Sequence, residues 1–369
     1  MSEKGVGSYI PTLDGWRAIA ILAVLGYHSP ALQIGRFHFS LVHDYGSQGV
    51  DLFFALSGLL ICTKLLQEEA LRGSISLPSF YARRVFRILP AAFTYLLVVG
   101  VLGLFHIIPM PLGSWLAALT SSTNYYVAFA HNPGLDWYTG HFWTLAVEEH
   151  FYLLLPGLLV LFSRHRKWML GGLIIFFTLW QAICRNGWPQ RTDLRIDALL
   201  IPALLAIFLR SERVVDWFRK WLYPVVGVIL VAVVSLALSK IGGPLEAIKP
   251  LLKVVYPLLI LSTILHAQTW LGRVLESAPL RWIGRISYSI YLWQQLFFLD
   301  ARETRAYHST WPLDRLQHLP LNLIAVFSVA ALSYYSIEKP LIRLGHRLTG
   351  GARVVKPNAA IVSAEPVVI

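Results

Sequence analysis

Residues 89–109 read LPAAFTYLLVVGVLGLFHIIP, a run without a single Asp, Glu, Lys or Arg. About 20 apolar residues carry a helix across the hydrocarbon core of a bilayer, and this run meets that length. Stretches of the same character recur at 13–30, 50–68, 143–162, 168–184, 196–210, 222–239, 250–267, 286–300 and 320–338. The reading is an all-α polytopic membrane protein of about ten transmembrane helices. Composition agrees. Of 369 residues, 56% are hydrophobic and 14% charged, whereas soluble domains carry roughly 25% charged residues. That excludes a soluble enzyme, a disordered chain and a coiled coil. Cys62 and Cys184 both lie in apolar stretches and offer neither a disulfide framework nor metal-ligand spacing.

The net charge of +12 could signal nucleic acid, so its distribution matters. With the amino terminus in the cytoplasm, twenty-one Lys and Arg fall in inside segments and ten in outside segments, Arg17 lying within the first span. This bias is the positive-inside pattern. It predicts both termini in the cytoplasm and removes the need for a nucleic-acid partner. Asp14 and Arg17 at the start of the first span argue against a cleaved leader. The chain divides into a membrane domain at 1–347 and a polar, disordered cytoplasmic tail at 348–369. The outside loop at 110–142 holds Trp115, Tyr125, Tyr126, Trp137 and Tyr138; an interfacial aromatic belt accounts for them more simply than stacking on sugars.

Ionisable groups inside a bilayer cost roughly 2.5 kcal/mol or more each, which marks them as functional candidates. Arg17 and His28 are eleven residues apart on the first span. At 100° per residue they share one helix face, about 16 Å apart along the axis, and one inward cavity wall would explain both. Glu148 and Glu149 open the fourth span. Adjacent carboxylates point different ways on a helix, so one faces a cavity to support His28 while the other caps the helix or meets water. Arg83, Arg84 and Arg87 lie in an inside loop leading to the third span. They are either ordinary positive-inside charge or guanidinium forks for phosphate. Asp51 reads as a helix cap, Ser57 as a packing residue, Arg195 and Asp197 as a local pair, and Glu338 as the end of the last span.

Six segments in order carry a family resemblance: Leu13-Asp14-Gly15-Trp16-Arg17 with His28; Gly49-Val50-Asp51-Leu52-Phe53-Phe54 through Gly58; Phe80-Tyr81-Ala82-Arg83-Arg84 through Pro90; Trp143-Thr144-Leu145-Ala146-Val147-Glu148-Glu149 through Tyr152; Ser287-Tyr288-Ser289-Ile290-Tyr291-Leu292-Trp293; and Ser333-Tyr334-Tyr335-Ser336-Ile337-Glu338-Lys339-Pro340. The chain resembles the acyltransferase 3 family of bacterial integral-membrane acyltransferases over about residues 9–347. One departure is Gln294-Gln295, where the family often has His after Trp293. The resemblance implies transfer of an acyl group, usually acetyl, from cytoplasmic acyl-CoA to a sugar hydroxyl on an envelope glycan, lipid-linked saccharide or glycosylated metabolite. It implies His28, Glu148, Glu149 and Arg17 as catalytic residues, Arg83, Arg84 and Arg87 as the acyl-CoA site, and Asp51, Tyr152 and Asp14 as substrate contacts. It implies acetyl-CoA or another acyl-CoA as donor, no metal, and a multi-pass protein of the bacterial inner membrane. Some members add an extracytoplasmic esterase-like domain; this chain is expected to be the membrane domain alone. The rival class is a secondary transporter, which buried Arg, His and Glu would also suit. A non-catalytic partner in polysaccharide export is a third.

Overall fold

A computed structural model of the chain describes residues 9–28, 32–34, 37–39, 46–129, 137–184, 187–241, 249–298 and 313–349. The helices in chain order are α1 (Pro11–His28), α2 (Gln48–Arg72), α3 (Leu77–Leu104), α4 (Leu112–Leu119), α5 (Thr123–Phe129), α6 (Trp137–Gly140) and α7 (Phe142–Leu161). They continue with α8 (Arg166–Ile183), α9 (Asp197–Phe208), α10 (Glu212–Trp221), α11 (Pro224–Ile241), α12 (Lys249–Leu265), α13 (Trp270–Leu275), α14 (Ala278–Arg285), α15 (Ser287–Phe297), α16 (Leu321–Ser333) and α17 (Lys339–Leu348). A small antiparallel ribbon pairs Leu32–Ile34 with Phe37–Phe39. It departs from the all-α expectation without changing the architecture. The tail from residue 350 lies outside the described residues.

Each of the ten apolar stretches holds a helix. Among the described residues, four helical segments are long and apolar enough to cross a membrane: Gln48–Arg72, Leu77–Leu104, Trp137–Leu161 and Leu321–Leu348. Two boundaries differ from the sequence reading for one reason: apolarity marks what lipid covers, while backbone hydrogen bonding decides where a helix ends. α3 begins a full three turns before residue 89, with Pro78 in its first turn, where a missing N–H costs nothing. Arg83, Arg84 and Arg87 are therefore helical rather than in a loop. Glu338 does not end the last span. A π-helical turn at Tyr334–Glu338 joins α16 to α17, so Lys339 and Pro340 continue the same helix.

Two apolar cores form. One gathers α2, α9 and α12; the other gathers α3, α15 and α16. Val50, Phe53, Leu145 and Tyr288 pack against both, so they mark the seam between the two. Without water to drive association, helices in lipid adhere through close packing of small residues. Gly58 on α2 lies against the Leu199 carbonyl and Pro202 of α9, and Gly284 on α14 against the Asp14 carbonyl of α1. The Trp16 indole donates to Thr263 Oγ1 at 2.8 Å, tying α1 to α12.

A side chain at either glycine would collide with backbone, which cannot move aside. Gly58→Val and Gly284→Val should each lower the thermal unfolding midpoint in detergent, by the equivalent of about 1–3 kcal/mol for overpacking. Gly171→Ala, which meets open space on α8, should leave the midpoint unchanged or raise it slightly.

Candidate active site

A stripe on α2 builds the site. Val50, Phe53, Phe54, Ser57, Leu60, Ile61 and Lys64 recur at three- and four-residue spacing, which places them on one helix face. All line a cavity of about 120 Å³ at the seam between the two cores. α1, α3, α7 and α15 close it with Arg17, Arg84, Arg87, Ile88, Thr144, Leu145, Glu148, Tyr152, Ser287, Tyr288 and Tyr291. A second cavity of about 440 Å³ adjoins it and shares Arg17, Leu60, Lys64, Arg87, Ser287 and Tyr288. Asp14, Gln67, Arg285 and Glu338 help to line this wider space. From Val50 to Gln67 the two cavities follow α2 for about 25 Å at 1.5 Å per residue.

The two ends of this cleft differ in chemistry. Toward the wide end four cations converge, Arg17, Lys64 and Arg87 lining both cavities and Arg84 the smaller one, with the exposed Arg285 a fifth in the wider. Three carboxylates face them. Asp14 accepts from Arg17 Nη1 at 3.0 Å and from the Tyr9 hydroxyl at 2.5 Å. Glu148 accepts from Ser57 Oγ at 3.1 Å and from the Tyr152 hydroxyl at 2.7 Å. Glu338, delivered by the π-turn, accepts from Ser289. The Arg84 guanidinium lies 4.8 Å from the centre of the Tyr152 ring and 5.7 Å from that of Phe80, a cation–π arrangement. At the narrow end the lining is Val50, Phe53, Thr144 and Tyr291. The Tyr291 hydroxyl donates to the His141 carbonyl at 2.7 Å and lies 2.6 Å from Thr144 Oγ1. This hydroxyl pair is the end wall.

His28 lies outside the cleft. Its ring packs edge-on to Trp137 at 5.7 Å and to Tyr27 at 5.2 Å, and it lines neither cavity. The shared cavity wall expected for Arg17 and His28 is therefore not found; only Arg17 faces the cleft. Of the paired glutamates, Glu148 lines the cleft and Glu149 lines neither cavity. The Glu148 oxygens are engaged by Ser57 and Tyr152 rather than by His28.

Other assignments sort by geometry. Arg84 and Arg87 face the cleft, whereas Arg83 turns away to pair with Glu68 at 3.0 Å. Tyr152 and Asp14 line the cleft. Asp51 caps nothing; it pairs with Arg195 at 2.7 Å. Asp197 pairs with Lys253 at 2.6 Å, not with Arg195, because the nearer opposite charges belong to other helices. Sequence reading missed Lys64, treated as ordinary inside charge, and Ser57, treated as packing. Their spacing of seven from each other, on the stripe that starts at Val50, was the available signal.

Glu148 neutralises a cluster with more cations than anions. Removing one partner of a fully buried charge pair costs about 3–5 kcal/mol, and the half-buried Glu148 should cost a part of that. Glu148→Leu should unfold at a clearly lower temperature in detergent, whereas Glu148→Gln, which keeps partners for Ser57 and Tyr152, should lose much less.

Comparison with known proteins adds the lineage. The acyltransferase 3 family, described as an acyltransferase domain, matches residues 10–337. The peptidoglycan O-acetyltransferase OatA of Listeria monocytogenes is 31% identical over 364 residues, covering 91% of this chain and 56% of its own length. A putative O-acetyltransferase of Staphylococcus aureus is 30% identical over 370 residues, covering 91% of this chain and 58% of its own. The putative peptidoglycan O-acetyltransferase YrhL of Bacillus subtilis is 29% identical over 374 residues, covering 92% of this chain and 56% of its own. The chain thus spans just over half the length of these curated relatives. No solved structure matches it. A match across nearly all of the helical bundle, with every residue lining the smaller cavity inside it, makes this chain a member of the acyltransferase 3 family.

Proposed function

We propose that the chain is a membrane-bound O-acyltransferase that moves an acyl group, in the first instance acetyl, from cytoplasmic acyl-CoA to a sugar hydroxyl on an envelope glycan. The observation that carries this is the cleft: four cations where its two cavities meet, about 25 Å of passage in all, and the Thr144–Tyr291 hydroxyl pair at its narrow end. A coenzyme A thioester has the matching form, a polyphosphate head on a thin arm with the reactive carbonyl at its tip. Arg17, Lys64, Arg84 and Arg87 receive the phosphates, the guanidinium groups by bidentate bonds. Glu148 and Asp14 hold these cations in place and keep the empty site from excess repulsion. The relatives' names point to acetyl as the acyl group and to peptidoglycan as the kind of acceptor.

The chemistry falls to His28. As general base it takes the proton of the acceptor hydroxyl; the oxygen attacks the thioester carbonyl carbon. The carbon–sulfur bond breaks, and the departing sulfur takes the proton from His28. His28 lines neither cavity, so transfer requires the side chains between it and the cleft to part. On this reading the polypeptide crosses the inner membrane of a bacterium about ten times with both termini in the cytoplasm. The wide end of the cleft then opens toward the side rich in Lys and Arg, and the acceptor approaches from the other. Acyl groups cross the membrane while CoA stays inside.

Purified protein in proteoliposomes, given radiolabelled acetyl-CoA and envelope glycan, should transfer label to sugar. Label moving across the membrane as an intact solute would instead establish a transporter. His28→Ala should lower transfer at least a hundredfold with acetyl-CoA affinity unchanged; near-normal transfer would remove His28 from the chemistry. Arg84→Ala and Arg87→Ala should each weaken acetyl-CoA binding about tenfold or more by calorimetry, the effect of losing a charge-assisted hydrogen bond. Arg83→Ala should leave it unchanged.

A further inference from the structure

The smaller cavity ends blind. Along α2 it runs from Lys64 and Leu60, which also line the wider cavity, to Val50, where the stripe begins. Partway along, Ser57 bonds Glu148 at 3.1 Å, so these two residues stand at one level. One helical turn further, Phe53 on α2 and Thr144 on α7 line the same space. Tyr291 of α15 joins them: its hydroxyl lies 2.6 Å from Thr144 Oγ1, and its ring packs edge-on to Phe53 at 6.4 Å. Val50, Phe53, Thr144 and Tyr291 line the smaller cavity and not the wider one.

This end is braced. The Tyr291 hydroxyl donates to the His141 carbonyl at 2.7 Å, and Thr144 Oγ1 donates to the same carbonyl at 3.3 Å. Thr144 and Tyr291 are buried. Val50 and Phe53 pack against both apolar cores. A wall packed in this way gives little room to an added methylene. Volume sets a second constraint. The smaller cavity, about 120 Å³, falls below the roughly 300–1,000 Å³ of pockets that hold drug-sized ligands. The wider one, about 440 Å³, lies within that range. A thin chain fits the smaller space, and a bulky head fits only the wider one. The tip of the chain then meets Val50, Phe53, Thr144 and Tyr291.

We propose that these four residues set the length of the acyl group, admitting acetyl and excluding longer chains. This assignment rests on the acyltransferase reading and adds what selects among acyl-CoA thioesters. Thr144 and Tyr291 form the fixed stop, held by hydrogen bonds to each other and to backbone. Phe53 and Val50 set the depth in front of it, because packing alone holds their side chains. Shortening either one deepens the blind end. Apolar pockets discriminate a single methylene by about 10- to 200-fold, and a butyryl group carries two more than acetyl.

The test uses purified protein in proteoliposomes with envelope glycan and either acetyl-CoA or butyryl-CoA, each labelled in the acyl group, and compares kcat/KM for the two donors. Wild type should favour acetyl-CoA by at least about tenfold. Phe53→Ala and Val50→Ala should each raise the butyryl-to-acetyl ratio by at least about tenfold. Leu60→Ala, on the same stripe but where the two cavities meet, should leave the ratio unchanged. Thermal unfolding confirms that each variant folds; should Phe53→Ala fail, Phe53→Leu and Val50→Ala decide it. Wild type that takes butyryl-CoA as readily as acetyl-CoA would overturn the length assignment and leave the acyltransferase reading standing. An unchanged ratio in the Phe53 and Val50 variants, or an equal rise in Leu60→Ala, would do the same. Wild type that transfers label from neither donor would overturn the acyltransferase reading itself.

Discussion

Four cations gathered in a cleft of an apolar helical bundle, three of them half-buried and Lys64 exposed, set the terms for the rest of the molecule. Burying a charge is unfavourable unless opposite charges and hydrogen bonds attend it, and the carboxylates around these cations come from three separate segments. Asp14 comes from α1, Glu148 from α7 and Glu338 from the π-turn before α17. Arg17, Lys64, Arg84 and Arg87 come from α1, α2 and α3. The cluster therefore fixes five segments around one space. It leaves more positive than negative charge there, which suits a polyanionic ligand rather than a purely structural ion-pair network. The ion pairs outside the cleft look different. Lys253 with Asp197 and Arg195 with Asp51 are one-to-one, Glu69 takes both Arg166 and Arg210, and these pairs act as ties between helices.

The polar interior also explains why small residues recur where helices meet. Gly58 and Gly284 bring backbones into contact, α2 against α9 and α14 against α1. The cleft lies along that seam, where Val50, Phe53, Leu145 and Tyr288 touch both cores. A site between two packed bodies can admit a long thin ligand without breaking either core. The π-turn at Tyr334–Glu338 belongs to the same design. Such turns insert an extra residue into a helix and are found mostly at functional sites; here it lets Glu338 be reached by Ser289 while lining the wide cavity.

Much of this was legible in the sequence, and the limits have physical causes. Runs such as 89–109 gave the helices, because apolar length is a direct consequence of bilayer thickness. The Arg84–Arg87 spacing and the Glu148–Glu149 pair pointed to the cleft, and local periodicity was enough to place both arginines on one face. Pairings between distant helices were not legible. Asp51 meets Arg195, and Glu148 meets Ser57, through packing that no local pattern encodes. Arg17 and His28 are spaced to share a helix face, yet only Arg17 lines the cleft. Arg83 could not be told from Arg84 without knowing that Glu68 lies beside it. Residues 350–369 fall outside the described structure, so the tail stands as a reading of composition.

The central claim is that the cationic cleft is where the donor lies and that its far end is the point of transfer. Electron cryomicroscopy of the protein in nanodiscs with a non-hydrolysable acetyl-CoA analogue tests it most directly. The account predicts phosphate density against Arg17, Lys64, Arg84 and Arg87, with the acyl end at Thr144 and Tyr291, on the near side of His28. Analogue density elsewhere on the bundle, with the cleft empty, would contradict it.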